Sequence, residues 1–291
     1  MVKGCAIVSR AHSCLFEEHL LLGAQFETDE EGRERVASYP FAHAEFQVDC
    51  TYLMDMEGHP FAYAHGQLAS SFISCVSASA LPDVDSIRPS LLLSGTGGVL
   101  SLPFIARAAA DEYVIFDYSS RADTTFSWLS FVQAIEEGGS HPFQALQLEH
   151  EIPDLIPLGL VGTGAAAIIQ DYLGSHEQAP LSLTLKSYRF DGTIPVLVFS
   201  FSSACYLLFV PRARARILWR SLLSHTELAP TAPKNFKRVL AQAQPRLARM
   251  DAAPDLDDLS SIPEFSTAAL RADQLIRNDT NFIGARSLQH A

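Results

Sequence analysis

IPVLVFSFSSACYLLFVPRARARILWRSLL, residues Ile194–Leu223, decides the fold class. The apolar run from Ile194 to Pro211 is long enough to raise a membrane span. Three serines (Ser200, Ser202 and Ser203) interrupt it, and prolines bound it. Its β-branched and aromatic residues suit two buried strands joined at Ser-Ser-Ala. Pro211 then opens a helix to about Leu223. The arginines of that helix, Arg212, Arg214, Arg216 and Arg220, spread around it and read as solvated surface rather than an anion site.

Outward from this unit, hairpins and helices alternate. SLLLSGTGGVLSLPFI (Ser90–Ile105) carries a Gly-rich turn between two apolar arms, which is a hairpin signal. The turn is followed by a strand and not a helix N-terminus, so it is not read as a phosphate cradle. A first helix is expected at Leu15 to Gln25 and a strand at Glu45 to Met56. Phe61, Ala64, Leu68 and Phe72 fall at helical spacing and predict a helix over Pro60–Phe72. Strands are expected at Glu112–Asp117, Phe143–Glu149, Leu155–Val161 and Leu181–Arg189. Helices are expected at Asp123–Glu137, stopped by Gly138-Gly139, and at Gly164–Leu173. The pattern predicts an α+β architecture with antiparallel or mixed sheets and packed helices. From Ala229 onward prolines, alanines and acidic residues multiply, so 229–291 reads as an irregular C-terminal segment, with a loop near Asp251–Asp258.

The chain has 291 residues, 48% of them hydrophobic, enough for one large core or two interlocked subdomains. Only 19% are charged, which hints at surface covered by a protein partner or a second copy. The net charge of −12 opposes nucleic acid and anionic membrane as partners. The five cysteines form no C-x-x-C pair, so neither a disulfide framework nor a zinc knuckle is expected. His59 and His65 have no third ligand, and no metal is expected. His12 and His19 would share a helix face, but Glu17 and Glu18 beside them suit solvent. No signal peptide precedes them, so the chain reads as soluble and cytoplasmic.

Several segments together resemble the glycine-cleavage T-protein family of tetrahydrofolate-dependent aminomethyltransferases. They are LFEEHLLLGAQF (Leu15–Phe26), FQVDCT with FAYAHGQL, GTGGVLSLPFI, YVIFDYSSRADTTFSWL, PLGLVGTGAAAIIQDYL, CYLLFVP and NFIGARSL (Asn281–Leu288). Their order spans nearly the whole chain. The resemblance implies a T-protein-like folate-binding domain over 1–291, without the family's C-terminal barrel, since the sequence stops just past Leu288. It implies transferase chemistry in one-carbon metabolism, with tetrahydrofolate as cofactor.

The departures bear on chemistry. The family's two hairpin aspartates, one of them its catalytic acid, fall on Ser101 and Leu102. Neither of these ionises. Its His-Met pair falls on Cys50 and Thr51, and its folate-contacting asparagine on Asp117. The stretch whose glutamate recognises the pterin falls on Ser200–Ser203. Arg121 and Arg238 keep the family's residue type. Read as an enzyme, the chain would use a rebuilt pocket lined by Tyr52, Asp117, Arg121 and Tyr206, with Asp117 supplying a carboxylate of raised pKa. No catalytic residue is assigned. Read as a non-catalytic scaffold or subunit, it would carry bulky apolar side chains where folate sits and apolar surface for a partner. Some other α+β hydrolase or binding protein is the remaining alternative, and no motif supports it.

Overall fold

The computed structural model describes residues 12–289 except 30–31, 41–46, 48, 137, 151, 153, 176 and 254–257. The expected strand start at Glu45, the helix end at Glu137 and the middle of the Asp251–Asp258 loop lie outside the described residues.

Along the chain, α1 (Phe16–Leu21) leads into a hairpin of β1 (Gln25–Thr28) and β2 (Glu34–Ser38). Next come β3 (Thr51–Asp55), β4 (Phe61–His65), α2 (Ala69–Val76) and β5 (Ser86–Pro89). A small hairpin joins β6 (Leu92–Leu93) to β7 (Val99–Ser101). The strands β8 (Phe104–Ala109) and β9 (Glu112–Phe116) precede α3 (Ala122–Gln133). β10 (Gln147–Glu149), β11 (Leu155–Val161), α4 (Ala165–Leu173) and β12 (Thr184–Phe190) follow. β13 (Ile194–Ser202) and β14 (Cys205–Pro211) form the central hairpin, and α5 (Arg212–Leu222) and β15 (Leu228–Pro230) come after it. The rest holds α6 (Phe236–Ala243), α7 (Pro245–Asp251), α8 (Thr267–Ala272) and short 3₁₀ turns.

Eleven strands form one sheet in the order β10-β4-β9-β8-β5-β12-β13-β14-β11-β3-β15. Each neighbouring pair is antiparallel except β15 with β3. The architecture is the expected α+β class with a mixed sheet. The apolar window at 194–211 is two strands whose turn falls at Ser203-Ala204. No helix of the described residues is long and apolar enough to cross a membrane.

The sheet bends back on itself. β4 and β14 stand six strand spacings apart in the order, about 29 Å on a flat sheet at about 4.8 Å per strand. Yet the rings of Phe61 on β4 and Phe209 on β14 meet at 5.4 Å between centroids. Phe104 on β8 meets Phe201 on β13 at 5.0 Å. The two halves therefore face each other across a shared core, which α6 and α7 help close through Phe236, Leu240, Leu247 and Met250. The outer face of one half packs on α1, α4 and α5, and that of the other on α2 and α3.

Local sequence explains most elements. In α5 the buried residues are Ala215, Leu218, Trp219 and Leu222, a single helical stripe. Its arginines lie at the surface as expected, with Arg214, Arg216 and Arg220 exposed, and three of the four also form ion pairs. Arg216 and Arg220 pair with Glu17 and Glu18 of α1, and Arg212 with Glu57. The segment 60–72 is not a helix. Phe61–His65 is a strand between β10 and β9, and the helix begins only at Ala69. A strand buried on both faces loses its alternation, so apolar spacing alone cannot tell it from a helix. Only Gln147–Glu149 of the expected Phe143–Glu149 strand pairs. Pro103 separates β7 from β8, which joins the large sheet instead of continuing the small hairpin.

Gly162, after β11, is required by its surroundings. Its φ is +116°, and a Cβ there would lie 2.0 Å from the Cys50 carbonyl oxygen. The three nearest atoms all belong to the Cys50–Thr51 backbone, which a side chain cannot push aside. Gly162→Ala is expected to destabilise the fold by at least about 2 kcal/mol, read from the urea unfolding midpoint. An unchanged midpoint would contradict this packing.

Candidate functional site

Three of the positions given to the family's folate site, Ser101, Asp117 and Arg121, come together where β7 and β9 end. β9 ends at Phe116, and the chain turns through Asp117, Tyr118, Ser119 and Ser120 into α3. Asp117 is 2% exposed. One of its carboxylate oxygens accepts hydrogen bonds from the Ser119 N–H (2.9 Å) and the Ser119 hydroxyl (2.6 Å). The other accepts from the Thr125 hydroxyl, one helical turn past Arg121. Ser101 at the end of β7 lies 2.6 Å from the Thr125 hydroxyl. Thr125 has one proton to give. With Asp117 ionised, Thr125 donates to Asp117 and receives from Ser101.

Burial pushes the Asp117 carboxyl above its ordinary range, against the Ser119 and Thr125 hydrogen bonds that pull it down, and Asp251 adds to the rise. Asp251 itself accepts from the Ser120 N–H. The Ser119 hydroxyl oxygen accepts from the Arg121 N–H at 3.1 Å. The turn is thus a self-satisfied helix entry.

Arg121 is buried, at 4% exposure. One guanidinium nitrogen donates to the Leu100 carbonyl at 3.1 Å, while Nε and Nη2 have no hydrogen-bond partner. Its charge helps lower the Asp258 carboxyl. Burial pushes that group up, but the Ser260 and Val99 N–H bonds and Arg121 outweigh it.

The other expected residues do not join this cluster. Tyr52 faces the shared core, and its hydroxyl accepts from the Gln47 N–H at 3.1 Å. Tyr206 lies in the core on the opposite sheet face, among α4 and α5 residues, and cannot line the same space as Tyr52. Arg238 is exposed on α6. Thr125 and Asp251 were not foreseen. Thr125 was recoverable from its i+4 spacing to Arg121, but Asp251 comes from a distant segment with no local signal.

The space beside these groups holds rings. Phe116 meets Phe199 at 5.1 Å and Phe201 at 5.6 Å. Phe236 of α6 meets Phe201 at 6.1 Å and Tyr118 at 4.8 Å. Leu102 is buried in the same core. Two open clefts lie elsewhere. One of about 330 Å³ is lined by Asp171, Tyr172, Asp191 and His225 among others, and one of about 540 Å³ by Phe126, Phe131 and His150 among others.

A second buried polar group ties α1 to the sheet. His19, expected toward solvent, is 1% exposed. Its Nε2 lies 2.9 Å from Asp55, and its Nδ1 lies 2.8 Å from the Tyr39 hydroxyl. Trp219 of α5 packs edge-on against the imidazole at 5.1 Å, and the Glu17–Arg216 and Glu18–Arg220 pairs flank that contact. Among the described residues no group of three His, Cys, Asp or Glu is placed to hold a metal.

No protein-family profile matches the chain, and no curated protein does. Among solved structures it is similar to the glycine cleavage system aminomethyltransferase T from Bartonella henselae. Identity is 19%, the match covers 96% of this chain and 74% of that one, and the TM-score is 0.65. The heterotetrameric sarcosine oxidase from Corynebacterium sp. U-96 matches at 12% identity over 72% of this chain and 89% of that one, with a TM-score of 0.36. The first likeness shows that the fold is that of the aminomethyltransferase.

The Asp117 environment sets a pH dependence. A carboxyl raised by folding binds its proton more tightly in the folded state, so stability falls as pH rises from the ordinary carboxylate value through the folded one. Asp117→Asn removes that loss, and its amide can still accept from Ser119. The variant is expected to stay folded, within about 2 kcal/mol of wild type. Its stability relative to wild type should climb between acid and neutral pH in a series of urea midpoints. A flat or falling difference would contradict the assignment.

Proposed function

We propose that this chain is a non-catalytic scaffold or subunit that uses the aminomethyltransferase-like fold to bind a protein partner. The observation that carries this reading is the ring-filled space beside Ser101 and Leu102. Both positions, which the resemblance gives to acids, are fully buried, and neither side chain ionises. Phe116, Phe201 and Phe236 stand where the space between β9, β13 and α6 would otherwise open.

Tetrahydrofolate, which the resemblance implies, does not fit these residues. A pterin needs an aromatic-sized slot and a carboxylate to pair with its ring nitrogens. Asp117 is the nearest candidate, and it is 2% exposed, turned toward Ser119 and Thr125.

A second reading keeps the cofactor. Its support is Asp117 itself, a carboxyl that burial pushes above its ordinary range, four residues from the unpartnered N–H groups of Arg121. In that reading ring movement would open a rebuilt site, and Asp117 would act as the acid.

Titration of the purified chain with tetrahydrofolate separates the two. The expected outcome is no binding heat and no change in melting temperature at saturating ligand. Binding heat with a melting shift of several degrees, both lost in Asp117→Ala, would overturn the scaffold reading in favour of the second.

A further inference from the structure

We draw no further inference here: the strongest candidate, the buried edge of the Arg121 guanidinium at the entry to α3, whose Nε and Nη2 have no hydrogen-bond partner among the described residues, belongs to the site already described.

Discussion

The closure of the sheet onto a block of phenylalanine rings is the contact on which the rest of the molecule depends. Phe116 sits at its centre, in reach of Phe61 on the neighbouring β4 and of Phe199, Phe201 and Phe209 on β13 and β14, which would be far away in a flat sheet. Rings of this size bury large apolar areas and pack edge to face, which holds the two halves at a fixed spacing. Everything outside follows from that bend. Each half is left with one outer face, and each outer face takes its own helices. The same rings occupy the middle of the fold, and the scaffold reading proposed above rests on them.

The polar groups at the rim of this block mostly satisfy one another. Asp117 is satisfied by its own helix entry, and Ser120 is tied to Asp251 from the far end of the chain. Arg121 is the exception. Two buried N–H groups without acceptors cost about 1–3 kcal/mol each. The Asp258 carboxyl nearby offsets part of that through its charge. At the opposite end, His19, Asp55 and Tyr39 form a fully bonded group under α1, with Trp219 edge-on to the imidazole at 5.1 Å. Buried polar groups that are satisfied in this way hold one arrangement against alternatives.

Much of the fold was legible in the sequence, and the misses have physical causes. The 194–211 hairpin and α5 could be read because serines, prolines and a clean helical stripe punctuate them. β4 could not, since Phe61, Ala62 and Ala64 are buried on both faces and leave no alternation. Tyr206 was assigned to the wrong face for the same reason. Its neighbours Cys205, Leu207 and Phe209 point into the shared core, while Tyr206, Leu208 and Val210 point away, and both sets are apolar. Asp117 and Arg121 were legible as a strand-to-helix turn. The burial of His19 was not, because the ring packed against it is Trp219 of α5, two hundred residues away.

The filled interior is tested most directly by a crystal structure grown in saturating tetrahydrofolate. A closed core requires the Phe116 and Phe201 rings to remain near 5.6 Å apart, with no ligand density between β7, β9 and β13. Pterin density in that space, with Phe201 or Phe236 swung aside and Asp117 turned from Thr125 toward the ligand, would contradict it.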